Sequence, residues 1–182
     1  MTPAYGNMGL DDREVIDDYL RRLPDPATII NLGCGPHKEF LYELGRTLAL
    51  QRRQSCTLIL TDIHPEVRKS LASFFVPGRL QTAVKRANAF YASRSFRAAS
   101  TDAILALGLF GALTGSPGSI AADTSGRNAR VLRECRKILK RDGVLIISNS
   151  SIRQPKEEFL IVAKAARQGS AGRVRGRTEA NY

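Results

Sequence analysis

Five short apolar runs of β type, separated by helical patterns, constrain this chain more than any other feature. They are Ala27 to Leu32, Cys56 to Leu60, Gln81 to Ala87, Asp102 to Leu107 and Val144 to Ser148. The first shows no polar alternation, as expected of a parallel strand covered on both faces. The third is mixed in polarity and the weakest. Strands alternating with helices imply an α/β fold with a doubly wound, mostly parallel sheet. Right-handed crossovers then bring the ends of strands one to four onto one rim.

The intervening segments carry helical signatures. Asp11 to Leu23 places Val15, Ile16, Tyr19, Leu20 and Leu23 on one face, with acidic residues in the first turn, before Pro24 and Pro26 stop it. Pro36 suits a first helical position and is followed by the stripe Phe40, Leu41, Leu44 and Leu48. Pro65 starts a third helix with Val67, Leu71, Phe74 and Phe75, closed by Pro77 and Gly78. Phe90 to Ala99 reads as a surface helix or loop, and Gly108 to Gly126 has no clear pattern. Arg127 to Leu139 is a strong helix, turned by Arg141, Asp142 and Gly143 into the fifth strand. A last helix is expected from Pro155 or Lys156 to Arg167, with Phe159, Leu160, Val162 and Ala163 apolar.

The 182 residues, 43% apolar and 25% charged, fit one globular domain and exclude a disordered chain. The expected division is an N-terminal helical segment, 1–26, a doubly wound α/β domain, 27–167, and a mobile basic tail, 168–182. The N-terminus lacks a basic region followed by an apolar one, and the longest apolar run, Ala103 to Leu113, is too short to span a bilayer. A cytoplasmic protein with no membrane partner is therefore expected. Cys34, Cys56 and Cys135 are widely spaced and odd in number, so free thiols are expected rather than disulfides or a zinc site.

Thr28 to Lys38, TIINLGCGPHK, joins the first strand to a glycine-bearing turn and a helix start. A glycine-bearing turn at a strand end lets backbone approach a cofactor closely where the Cβ is missing. A dinucleotide turn needs a third glycine, where Lys38 stands here, and amide donors for a pyrophosphate, one of which Pro36 removes. Nicotinamide and flavin dinucleotides are therefore disfavoured.

The ordered set Thr28 to His37, Asp62, Thr101 to Leu113 and Arg130 to Ser150 resembles the motifs of the class I S-adenosylmethionine-dependent methyltransferases. The similarity covers about Thr28 to Asn149. The resemblance implies S-adenosylmethionine as cofactor, with Gly33, Cys34 and Gly35 beneath its methionine and ribose parts. It implies that Asp62 accepts from the ribose hydroxyls, that Ile63 packs on adenine and that Asn88 and Ala89 meet the adenine edge. Leu107, Gly108 and Leu109 would line the sulfonium region. A helix cap for the turn at Pro65 is the structural alternative for Asp62.

Three departures from the family pattern follow. Asn31 stands where an acid usually helps to hold the cofactor's amino group, and Asn88 stands where Asp is frequent; each keeps an acceptor oxygen without the charge. The family's last two strands are not expected, because the tail does not read as a strand pair. The sheet would then stop at five strands, come from a shortened chain, or have its open edge covered by a second copy or a partner subunit.

Methyl transfer needs alignment of acceptor, carbon and sulfur, and a base only where the acceptor loses a proton. No catalytic residue is assigned. The Asn/Asp-Pro-Pro-aromatic motif of many amino methyltransferases is replaced by LGLFGALTG after the fourth strand, which argues against base or glutamine N-methylation of that type. His37 and His64 follow strands one and two and read as helix-start or loop residues; with no second ligand motif they do not indicate a metal. The acceptor, a small molecule or RNA, is not identified. The formal charge of +11 is compatible with an acidic partner, and Arg79, Lys85, Arg86, Arg94, Arg97, Arg173, Arg175 and Arg177 are candidates for a phosphate-binding surface. A solvated basic surface is the simpler reading. The alternative to an enzyme is a catalytically silent binding or regulatory subunit of the same fold, associated with RNA.

Overall fold

A computed structural model describes residues 10–35, 38–51, 56–74, 80–107, 109, 126–148, 160–164, 173–174 and 177–178. The expectations for His37, for Gly108 and nearly all of the segment up to 125, and for most of the tail lie outside these residues.

Helix α1 (Leu10–Arg21) leads into β1 (Thr28–Leu32), α2 (Lys38–Gln51), β2 (Cys56–Asp62), α3 (Pro65–Leu71) and β3 (Leu80–Arg86). A 3-10 helix (Ala89–Arg94) connects to β4 (Thr101–Leu107), then α4 (Arg127–Ile138), β5 (Leu139–Ser148) and β6 (Leu160–Lys164). The six strands form one sheet in the order β3-β2-β1-β4-β5-β6. The first five run parallel, and β6 pairs antiparallel with β5.

Residues of opposite pleat feed two cores. Ile29, Leu58, Leu60, Ala103, Leu105 and Ile146 pack against Ile16 and Leu20 of α1, Leu41, Leu44 and Leu48 of α2, and Leu71 of α3. Their neighbours Ile30, Leu32, Ile104, Ala106, Leu145 and Ile147 pack against Val131, Cys135 and Ile138 of α4 and against Ala89 and Ala92. A strand buried on both faces needs apolar residues at both parities, which explains the unalternating runs. The doubly wound α/β architecture is thus as the strand and helix patterning implies. Among the described residues no helix is long and apolar enough to cross a membrane.

The structure corrects the reading of the C-terminal region. Leu160 to Lys164, expected within a helix, is strand β6, pairing Ile146 with Val162 and Ile147 with Ile161. The β-branched pair Ile161 and Val162 suits a strand, and pairing satisfies the backbone groups along the open side of β5. The sheet therefore does not stop at five strands. Two further short strands, β7 (Arg173–Val174) and β8 (Arg177–Thr178), pair antiparallel within the tail that did not read as a strand pair.

The expected turn before the fifth strand is an irregularity inside β5. Thr101 pairs with Leu139 and Ala103 with Val144, so Lys140 to Gly143 stand opposite Asp102 alone. A Cβ on Gly143 would lie 3.0 Å from the carbonyl oxygens of Lys140 and Thr101, which only glycine avoids. The bulge also brings the Lys140 ammonium to 2.9 Å from both Asp102 oxygens, while Asp102 Oδ2 accepts the Thr28 N–H at 2.9 Å. This ion pair ties β1, β4 and β5 together at the end of the sheet away from the glycine turn.

Candidate functional site

Where β1 ends, Gly33 and Gly35 take φ values of +67° and +63°, the left-handed region that side-chain-bearing residues enter at a cost. The turn is stitched to the end of β2. Cys34 donates its N–H to the Thr61 carbonyl at 2.9 Å, and Gly33 donates to Thr61 Oγ1 at 3.4 Å. The same hydroxyl donates to the Asn31 carbonyl at 3.0 Å. The parallel register that sets Leu32 opposite Thr61 makes these contacts possible.

Asp62 closes β2 and is buried, 6% exposed. Its Oδ2 accepts the Gly35 N–H at 3.1 Å and its Oδ1 accepts the His64 N–H at 2.8 Å. Two amides occupy two of the roughly four acceptor positions of an ionised carboxylate, so each oxygen keeps capacity for a further donor. The carboxylate supports the entry to α3 through His64, the residue preceding Pro65, and at the same time faces the glycine turn. Arg68 Nη1 donates to the carbonyls of Asp62 at 3.2 Å and Ile63 at 2.7 Å, fixing the strand end. The Ile63 side chain is left 47% exposed beside the carboxylate.

Burial, and next the charge of Asp62, push the Cys34 thiol up to about 12. Cys34 is therefore a neutral thiol at physiological pH and not a nucleophile. Asn31, 1% exposed, lies on the same face of β1 as Ile29, between its register partners Leu60 and Leu105. Neither its Oδ1 nor its Nδ2 has a hydrogen-bond partner among the described residues. Buried amide groups left unpaired cost about 1–3 kcal/mol each, so this position is suited to a polar group that is not part of the described chain.

Asp62 pairs in register with Arg86, and Asn88 follows β3 on the same rim. Asn88 Oδ1 accepts the Phe90 N–H at 2.9 Å and starts the 3-10 helix, leaving its amide nitrogen free of that role. Ala89 is buried. Leu107 ends β4, and Leu109 comes to the glycine turn, its Cδ1 2.7 Å from where a Cβ on Gly33 would stand. Gly33, Cys34, Gly35, Asp62 and Ile63 thus form one connected group. Asn88, Ala89 and Leu107 lie at the ends of neighbouring strands, and Gly108 is outside the described residues.

Sequence reasoning missed Thr61 and Arg68. Both act through the backbone of other elements, and no spacing announces that. It also missed Asp102 and Glu134, two buried acids that hold elements together rather than face the rim.

No protein-family model matches the chain, and no curated protein does. Solved structures do match. The CurJ carbon methyltransferase superposes with a TM-score of 0.54 at 15% identity, over 78% of this chain and 34% of its own length. The PH0226 protein from Pyrococcus horikoshii OT3 gives 0.51 at 15% identity, over 75% and 53%. The DszA carbon methyltransferase gives 0.50 at 14% identity, over 74% and 32%. The chain therefore spans between about a third and about a half of the length of these structures. With its sheet order, its helices on both faces and the glycine turn against the carboxylate at the end of β2, the chain has the class I, Rossmann-like methyltransferase fold.

Proposed function

We propose that the protein is an S-adenosylmethionine-dependent methyltransferase, acting on a small molecule or RNA. The observation that carries this reading is the Asp62 carboxylate, held by two backbone amides with acceptor positions to spare, between a turn whose Gly33 and Gly35 lack a Cβ and the exposed Ile63. A vicinal diol is the natural donor pair for such a carboxylate, and an exposed aliphatic side chain next to it offers a face for a flat base. The unpaired Asn31 amide at the end of β1 would hold a polar end of the same ligand. Asn88 would present its amide nitrogen to a ring acceptor of the adenine, and Ala89 would meet its edge. Cys34, Gly35, Leu107 and Gly108 would complete the lining. When bound, the cofactor supplies an electrophilic methyl group, and the chain's own task is to orient it and exclude water.

Calorimetry with S-adenosylmethionine and its demethylated product tests this. The wild-type protein is expected to bind at micromolar to millimolar concentration. Ile63→Lys, at an exposed position, is expected to leave the melting temperature unchanged and weaken binding by about tenfold. Asp62→Asn is expected to weaken it further. An absence of binding heat at millimolar ligand would overturn the proposal.

A second reading is a catalytically silent binding or regulatory subunit. Leu109 covering Gly33, and a neutral amide at Asn31, favour it. Transfer of a labelled methyl group to any fraction of a cell extract would refute this reading.

A further inference from the structure

The solvent side of α4 is basic along its whole length. Asn128, Val131, Glu134, Cys135 and Ile138 are buried, while Arg127, Arg130, Arg133, Arg136 and Lys137 are exposed. At 1.5 Å per residue these cations, from Arg127 to Lys137, are spread over roughly 15 Å of helix. The helix has one acid, Glu134, and it is turned inward. Glu134 accepts the Ser93 N–H at 3.0 Å, the Ser93 hydroxyl at 2.6 Å and the Lys137 ammonium at 2.5 Å. Burial alone would raise its carboxyl, but the bonds from Lys137 and Ser93 outweigh it and hold the group down at about 2. Glu134 therefore neutralises Lys137, and among the described residues no acid pairs with Arg130, Arg133 or Arg136.

The row continues onto the 3-10 helix. Arg130 Nε donates to the Phe90 carbonyl at 3.2 Å, and its guanidinium lies 4.2 Å from the centre of the Tyr91 ring. Arg94 approaches the same ring at 4.6 Å. Two cations from two elements thus converge on one aromatic side chain that is 36% exposed. Lys85 sits over the Phe96 ring at 4.7 Å, and Arg86 and Arg97 are exposed nearby in sequence. No Asp or Glu occurs between Leu80 and Thr101. Stacking on a ring offsets part of the repulsion between like charges, and an anion would offset the rest.

We propose that the face formed by α4 and the 3-10 helix docks single-stranded nucleic acid. Its phosphodiesters would lie along Arg133, Arg136 and Arg94, and a base would stack on the Arg94–Tyr91–Arg130 cluster. Guanidinium forks match phosphate oxygens in pairs, and this surface uses arginine far more than lysine. Among the described residues, Tyr91 is the one large hydrophobic exposed on this face; the others, Tyr42, Leu50 and Ile63, lie elsewhere. A membrane-inserting face or a protein interface needs an apolar anchor cluster, which is missing among those residues. Base stacking on an aromatic and arginine platform requires unpaired bases, which favours a single strand over a duplex. The inference does not depend on methyl transfer.

Fluorescence anisotropy with a labelled single-stranded RNA oligonucleotide tests it, on the full chain and over a range of salt. Affinity is expected to fall with salt. The triple substitution Arg94→Gln, Arg133→Gln and Arg136→Gln is expected to weaken binding at least about tenfold and to flatten the log–log salt slope by about 2. A control that removes three exposed cations on other helices, Arg21→Gln, Arg46→Gln and Lys69→Gln, is expected to stay within about twofold of wild type. Tyr91→Leu is expected to weaken binding about tenfold with the slope unchanged. Circular dichroism confirms that each variant is folded. Any of four results would overturn the proposal: equal losses in the face and control variants, binding insensitive to salt, tighter binding of a duplex of the same length, or equal binding of polyglutamate.

Discussion

Gly33 carries two constraints at once, a φ of +67° and the approach of Leu109. An alanine there must enter the left-handed region, at about 1 kcal/mol or more, while the flexible Leu109 end can turn aside. Gly33→Ala is expected to lower stability by roughly 1–2 kcal/mol in urea unfolding and to weaken ligand binding as well. Unchanged stability would mean that the turn does not need its left-handed geometry. The glycines and Asp62 were legible in the sequence, because a β-type run ending in Gly-x-Gly, and another ending in an acid, mark strand ends. Thr61 and Arg68 were not. Their partners, the Asn31 carbonyl, the Gly33 amide and the carbonyls of Asp62 and Ile63, come into reach only once β1 and β2 pair in parallel and α3 turns back.

At the scale of elements, Glu134 adds a charged contact to the apolar packing and the Arg130 contacts that join α4 to the 3-10 helix. Its carboxyl titrates at about 2 in the folded chain against an ordinary 4.5, so the folded state takes up that proton less readily than the unfolded one. The stabilisation is complete above about pH 4.5 and is lost as pH falls toward 2. Glu134→Gln is expected to cost about 1–2 kcal/mol at pH 6, the larger value that the shift alone implies being reduced by the exposure of Lys137. The difference between variant and wild type is expected to shrink steadily in urea titrations from pH 5 to pH 2.5. A pH-independent difference would assign the contact to packing rather than charge. Helix α4 itself was legible because its buried residues follow helical spacing. The role of Glu134 was not, since a single acid in a basic helix reads equally as a solvent-exposed charge.

The whole molecule is a sheet wound on both faces and extended by β6. Because N–H groups of successive strand residues point to opposite sides, one of Ile161→Pro and Val162→Pro must remove a ladder bond to β5. That variant is expected to lose about 1–3 kcal/mol, and the other much less. Two silent prolines would remove β6 from the sheet. The sequence by itself determined the five parallel strands, the helices between them and the glycine turn on one rim, since burial on both faces imprints itself as local apolar runs and spacings. Only the tertiary structure decided that Leu160 to Lys164 is a strand and that Asp62 carries two amides. It also brought the arginines of α4 and the 3-10 helix onto one tyrosine. Each of these depends on contacts between residues far apart in the chain, whose energy outweighs local propensity and leaves no periodic trace in the sequence.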